Sequence, residues 1–277
     1  MSERWLCSAI AVLVVATYTP LFETLLSQSA SNPYAAHVVV VPILAAGLLW
    51  ADVHRGRRLT DVVAPRRLCL AGMAVTAVAI ACRSGHVLTQ VLSLIAVLAG
   101  LVWSLYGSAG IRRAAFGLTF LLLMLPPPRE IIAVIAPAVQ YMVATVTAGI
   151  VSMLQIPVQQ HGVFLRLPGL QVHVAEGCAG LRFLLILVVV TAAFARVFMP
   201  TTRGQLAVIG LSIPIAMLAN LGRVLMITIS AYAVGPEIAT GPLHDYIGKG
   251  FWAVALLSLI GISILLRART CVRWCLS

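Results

Sequence analysis

Long apolar runs closed off by arginine clusters are the feature that most limits what this chain can fold into. Eight of them stand out, at 5–26, 34–50, 68–82, 87–106, 131–154, 181–199, 205–234 and 251–266. About 20 predominantly apolar residues carry a helix across the hydrocarbon of a bilayer. Lipid also compels each backbone polar group to pair inside its own segment, which favours helices. The apolar residues fall in blocks and not in the spaced stripe of an amphipathic soluble helix. Composition agrees, with 61% hydrophobic and 10% charged residues among 277, where globular chains carry about a quarter charged. The expected fold is all-α, a polytopic transmembrane bundle of about eight spans. Without a linker, repeat or low-complexity stretch, residues 1–277 read as one integral membrane domain.

A ninth run, 114–125, has only 12 residues and ends in Pro126-Pro127-Pro128. It is too short to span and is expected to be re-entrant or interfacial. Charge supports that choice. With eight spans and the amino terminus inside, 14 of the 19 basic residues fall on the cytoplasmic side, as the positive-inside rule requires. Arg83, Arg166, Arg182, Arg223 and Lys249 are left outward. Were 114–125 to cross, the arginines on its two flanks would face opposite sides. The same distribution turns the formal charge of +11 into a topology signal and argues against nucleic-acid binding. The run after Arg4 lacks an A-x-A cleavage pattern and reads as an uncleaved first helix.

This topology creates two outward loops, 155–177 and 235–250. In the first, Val163 to Val172 has the pattern of a short hairpin around Pro168-Gly169. Three residues with chemistry lie along this outer side. Cys178 stands between Gly177 and Gly180 where the first loop becomes a helix. Free amides and the positive end of a helix dipole there favour a thiolate, and Arg182 one turn later would add a cation. A cysteine beside an apolar run is more often structural, and Cys7, Cys69 and Cys82 are read that way. Cys271 and Cys275 form a C-x3-C pair without further ligands, so no metal or cofactor is expected.

Arg223 lies within the run 205–234, near its outer end, and Asn220 precedes it by three residues on the same helical face. An ionisable group in a span is by default a functional candidate; the alternative is an arginine snorkelling to the interface. His244 lies in Gly241-Pro242-Leu243-His244-Asp245, in the second loop before the last helix. Together the three supply a nucleophile, its acid/base partner and a donor for a developing oxyanion.

Gly177-Cys178-Ala179-Gly180-Leu181-Arg182, Asn220-Leu221-Gly222-Arg223 and Gly241-Pro242-Leu243-His244 resemble the three signature blocks of the exosortase/archaeosortase family. The likeness covers about 124–266 and weakens before it; Ala179 stands where a serine is common. The resemblance implies an integral membrane cysteine protease or transpeptidase that cleaves carboxyl-terminal sorting tails of exported proteins. Cys178 would then be the nucleophile, His244 the acid/base partner and Arg223 the oxyanion or substrate-orienting group, with Asn220 and Arg182 in support. The enzyme would sit in the cytoplasmic (inner) membrane with its site facing outward, its partners being those exported proteins and the lipid bilayer.

Other intramembrane proteases fit poorly. The eight acidic residues lie outside the span cores or at their ends, no histidine follows Ser263, and there is no H-E-x-x-H motif. A polytopic transporter is the alternative from another class, with Arg223 as an anion contact, but no mid-membrane carboxylate is present to relay protons. A scaffold for surface-polymer export is the third.

Overall fold

The computed structural model describes residues 3–54, 72, 86–175, 180–239 and 241–275. Its packing divides the chain into two units, Met1–Pro126 and Pro127–Ser277, each taken here by itself. Six described helical segments are long and apolar enough to cross a membrane: Pro33–Asp52, Val87–Ser104, Arg129–Met153, Leu181–Phe198, Thr202–Ala233 and Pro242–Arg267. Glu3–Ser31 forms a further long helix over the first expected span. The span expected at 68–82 lies, apart from Gly72, outside the described residues. Large side chains such as Val134, Leu218, Leu206 and Leu257 are exposed on these helices, as lipid-facing positions should be. The chain is an all-α, multi-pass membrane protein.

In the first unit, α1 (Glu3–Ser31) leads through a 3₁₀ segment (Pro33–Val39) into α2 (Val40–His54), followed by α3 (Val87–Phe120). Asn32 caps the 3₁₀ segment by accepting the Tyr34 N–H at 3.0 Å. Tyr18 of α1 and Ser93 of α3 share a hydrogen bond within a core that includes Leu21, Leu25, Val38, Val41 and Val91. Gly107 breaks α3 with φ 64° and ψ −164°, a conformation that a side chain resists. The expected span 87–106 therefore ends at this glycine. The short run beyond it is helix to Phe120, then a 3₁₀ turn at Leu121–Met124.

The second unit comprises α4 (Arg129–Met153), a three-stranded antiparallel sheet, α5 (Leu181–Phe198), α6 (Thr202–Ala233) and α7 (Pro242–Cys275). The sheet runs β1 (Gln159–His161), β2 (Phe164–Leu167), β3 (Leu170–His173), and Leu167 pairs with Leu170 across Pro168-Gly169. Gly169 has φ 73°, which with proline before it meets the demand of a type II turn. Alternation turns Leu165, Leu167, Val172 and Val174 inward onto Val143, Ala144 and Val151 of α4 and Val224 of α6. Burying each such side chain is worth about 1.5–3 kcal/mol, so the sheet is firmly docked on both helices. Gln140 of α4 adds a hydrogen bond to the Val174 carbonyl at 3.0 Å.

α7 departs from expectation. It begins at Pro242 and not near 251, so His244 lies on its first turn and not in a loop. The reason is local: proline suits the first helical position, where its missing N–H is no loss. Small residues let α5, α6 and α7 approach closely. A Cβ on Gly222 of α6 would come within 2.6 Å of the Phe251 ring on α7.

Candidate active site

The site grows from one turn of α6. Asn220 and Arg223 are three residues apart, share its inner face and are only 5% and 6% exposed. Thr202 opens this helix, and a rise of about 1.5 Å per residue carries Arg223 about 30 Å along it, one hydrocarbon thickness. The same stretch of α6 supports the sheet through Leu221, Val224 and Leu225. Lipid-exposed sheet edges are not tolerated in hydrocarbon, and this sheet packs on the same stretch of α6 that carries Arg223.

The guanidinium is enclosed on several sides. Its Nη2 is 3.4 Å from His244 Nε2, and its carbon lies 5.1 Å from the centre of the Phe183 ring on α5. Gly248, one turn along α7 from His244, leaves the space the group occupies: a Cβ there would stand 3.0 Å from Arg223 Nε and 3.2 Å from Cζ. Among the described residues, Nε and Nη1 are buried and have no hydrogen-bond acceptor. Two unmet donors on a buried cation cost free energy unless something else accepts them. A snorkelling arginine would instead hold its head in water.

His244 links this cation to an anion. Arginine has only donors, so at the Arg223 side Nε2 is the accepting atom, and Nδ1 faces Asp245 Oδ1 at 3.5 Å. Asp245 is 75% exposed. Side chains adjacent in sequence need not meet; here the two do.

Asn220 is engaged by the other approach to the site. Gly180, the residue that caps α5, has φ 84°, and a Cβ on it would fall 2.5 Å from Asn220 Cγ. Only glycine satisfies both the left-handed backbone and the contact. Thus Gly180, at the start of α5, packs against the turn that carries Arg223. Cys178 lies outside the described residues. Arg182 is exposed on the first turn of α5. Its helix begins at Leu181, after the left-handed Gly180.

Phe183 and Gly248 carried no signal in the sequence, since an aromatic residue in an apolar run and a glycine near a helix start are ordinary. Between α5, α6 and α7 lies a small, partly open cavity, with Arg223, Asn220 and Gly248 at one end and Leu187, Ala216 and Ala255 at the other. A second small one lies beside Asn220 and Gly180 among Val139, Val143 and Met217.

A family model described as transmembrane exosortase matches residues 28–261. The match reaches well upstream of the three motif blocks, into the first unit. No curated protein and no solved structure matches the chain.

Proposed function

This chain belongs to the transmembrane exosortase family, and from that premise we propose that it is a cysteine peptidase or transpeptidase. Its substrates are exported proteins with a carboxyl-terminal sorting tail, cleaved at the outer face of the cytoplasmic membrane. The observation that carries the reading is the buried Arg223, which meets His244 and keeps two donors unmatched among the described residues.

Cys178 is the nucleophile in this reading. Chain connectivity holds position 178 within about 7 Å of Gly180, and Gly180 packs on Asn220, one turn from Arg223. The thiol gives its proton to Nε2 of His244, freed as the Arg223 donors turn from it to the scissile carbonyl, and the sulfur adds to that carbonyl. Negative charge gathers on the carbonyl oxygen, where a guanidinium is an apt donor in a site poor in water. The oxyanion collapses as the imidazolium hands its proton to the departing amine, which leaves a thioester on Cys178. Water or an acceptor amine then attacks that thioester, and His244 removes its proton. Asp245 supports the imidazolium, Asn220 holds the approach to α5, and Arg182 contributes positive charge near the thiolate. No cofactor or metal enters.

The test is processing of a tailed reporter in membranes containing Cys178→Ala or Cys178→Ser at matched abundance. Both variants should insert normally and leave the reporter uncut. Normal cleavage by either removes the nucleophile from this account.

A further inference from the structure

We infer that the cavity between α5, α6 and α7 is a specificity subsite, which receives the apolar side chain of the residue that supplies the scissile carbonyl. The inference rests on the peptidase reading for its substrate, though not for the cavity itself.

The cavity is polarised along its length. α6 and α7 run antiparallel, so Arg223 lies beside Gly248 at one end, while Ala216 lies beside Ala255 at the other. Phe183 and Leu187 of α5 wall it at the two corresponding levels. The seven residues from Ala216 to Arg223 set a depth of about 10 Å. Its lower end is closed by the core formed by Leu187, Ala216, Ala255 and Leu259.

A ligand for this space needs an oxygen acceptor at one end and a compact apolar group attached close to it. The acceptor answers Arg223, whose Nε and Nη1 are buried and without an acceptor among the described residues. The apolar group answers the alanine and leucine floor. An amino-acid residue bound by its carbonyl has both features, with its side chain one carbon from the oxygen-bearing carbon. The space is small and partly open, lined by ten residues of three helices, and suits one side chain better than a peptide segment. The second cavity has no charged residue in its lining and does not offer this pairing.

Binding can be read without catalysis. The full chain carrying Cys178→Ala, in phosphatidylcholine nanodiscs, is titrated with N-acetylglycine, N-acetylalanine, N-acetylleucine and N-acetylphenylalanine, with octanoate as a stand-in for a lipid chain. Affinity should rise from glycine to leucine by at least about tenfold, since each buried methylene favours binding. Ala219→Leu and Ala255→Leu fill the cavity and should abolish that rise while N-acetylglycine still binds. Arg223→Gln should weaken all four by a similar factor. Equal binding across the series overturns the subsite, as does a size preference untouched by the filled variants. Octanoate binding more than tenfold tighter than N-acetylleucine assigns the cavity to a lipid chain and also overturns it. Should leucine at 219 or 255 disturb folding, the unmodified series with Arg223→Gln still decides between these outcomes. A negative result here leaves Cys178-dependent processing standing, and loss of the peptidase reading leaves the binding series interpretable.

Discussion

Replacing Gly248 with alanine separates a seat for Arg223 from mere helix packing. The new methyl would lie 3.0, 3.2 and 3.3 Å from Nε, Cζ and Nη2 of Arg223. Carbon contacts are comfortable at about 3.5–4.0 Å, so the guanidinium plane must retreat by about half an ångström. Its contact to His244 Nε2 is already 3.4 Å, and a retreat takes it beyond hydrogen-bond range. A misplacement of about 1 Å in a catalytic constellation costs about 100-fold; half of that predicts a loss of about 10-fold or somewhat more in turnover. Stability should not follow, because alanine is favoured over glycine inside a helix by up to about 1 kcal/mol. The assay pairs the processing rate of a tailed reporter in membranes with thermal unfolding of the purified variant. Full turnover in Gly248→Ala refutes the argument that this seat positions Arg223. Loss of turnover only in step with unfolding refutes it equally, by making Gly248 a packing residue.

Arg223→Lys should insert and fold yet lose about 10²–10³-fold in processing, because an ammonium cannot reproduce the fork of donors; Arg182→Lys, at an exposed position, should be milder, and rates at equal abundance check both. Reporter fusions at position 165 and position 200 should report outside and inside respectively. The reverse pattern would put the site on the cytoplasmic face and end the sorting proposal.

Much of the framework was legible because lipid imposes a blunt code. The run 181–199 became the helix Leu181–Phe198, and Pro168-Gly169 became the hairpin turn. Of the residues brought together at the site, Asn220 and Arg223 were visible as polar groups within an apolar run, and His244 as a histidine of the second outward loop. What escaped notice depends on neighbours in space. Gln159–His161 joined the sheet as β1 although three polar residues carry no strand pattern. The start of α7 hid behind Gly241-Pro242, which reads equally as loop or helix entry. Phe183 and Gly248 matter only because Arg223 comes to rest against them.

The most direct measurement is of the covalent intermediate. A tailed substrate is mixed with the membrane enzyme, quenched in acid, and the Cys178 peptide is analysed by mass spectrometry with and without hydroxylamine. The account predicts an acyl adduct on Cys178 with the mass of the amino-terminal product, released by hydroxylamine as a thioester should be. Cleavage that proceeds with Cys178 unmodified at every quench time, and equally in Cys178→Ala, would contradict it.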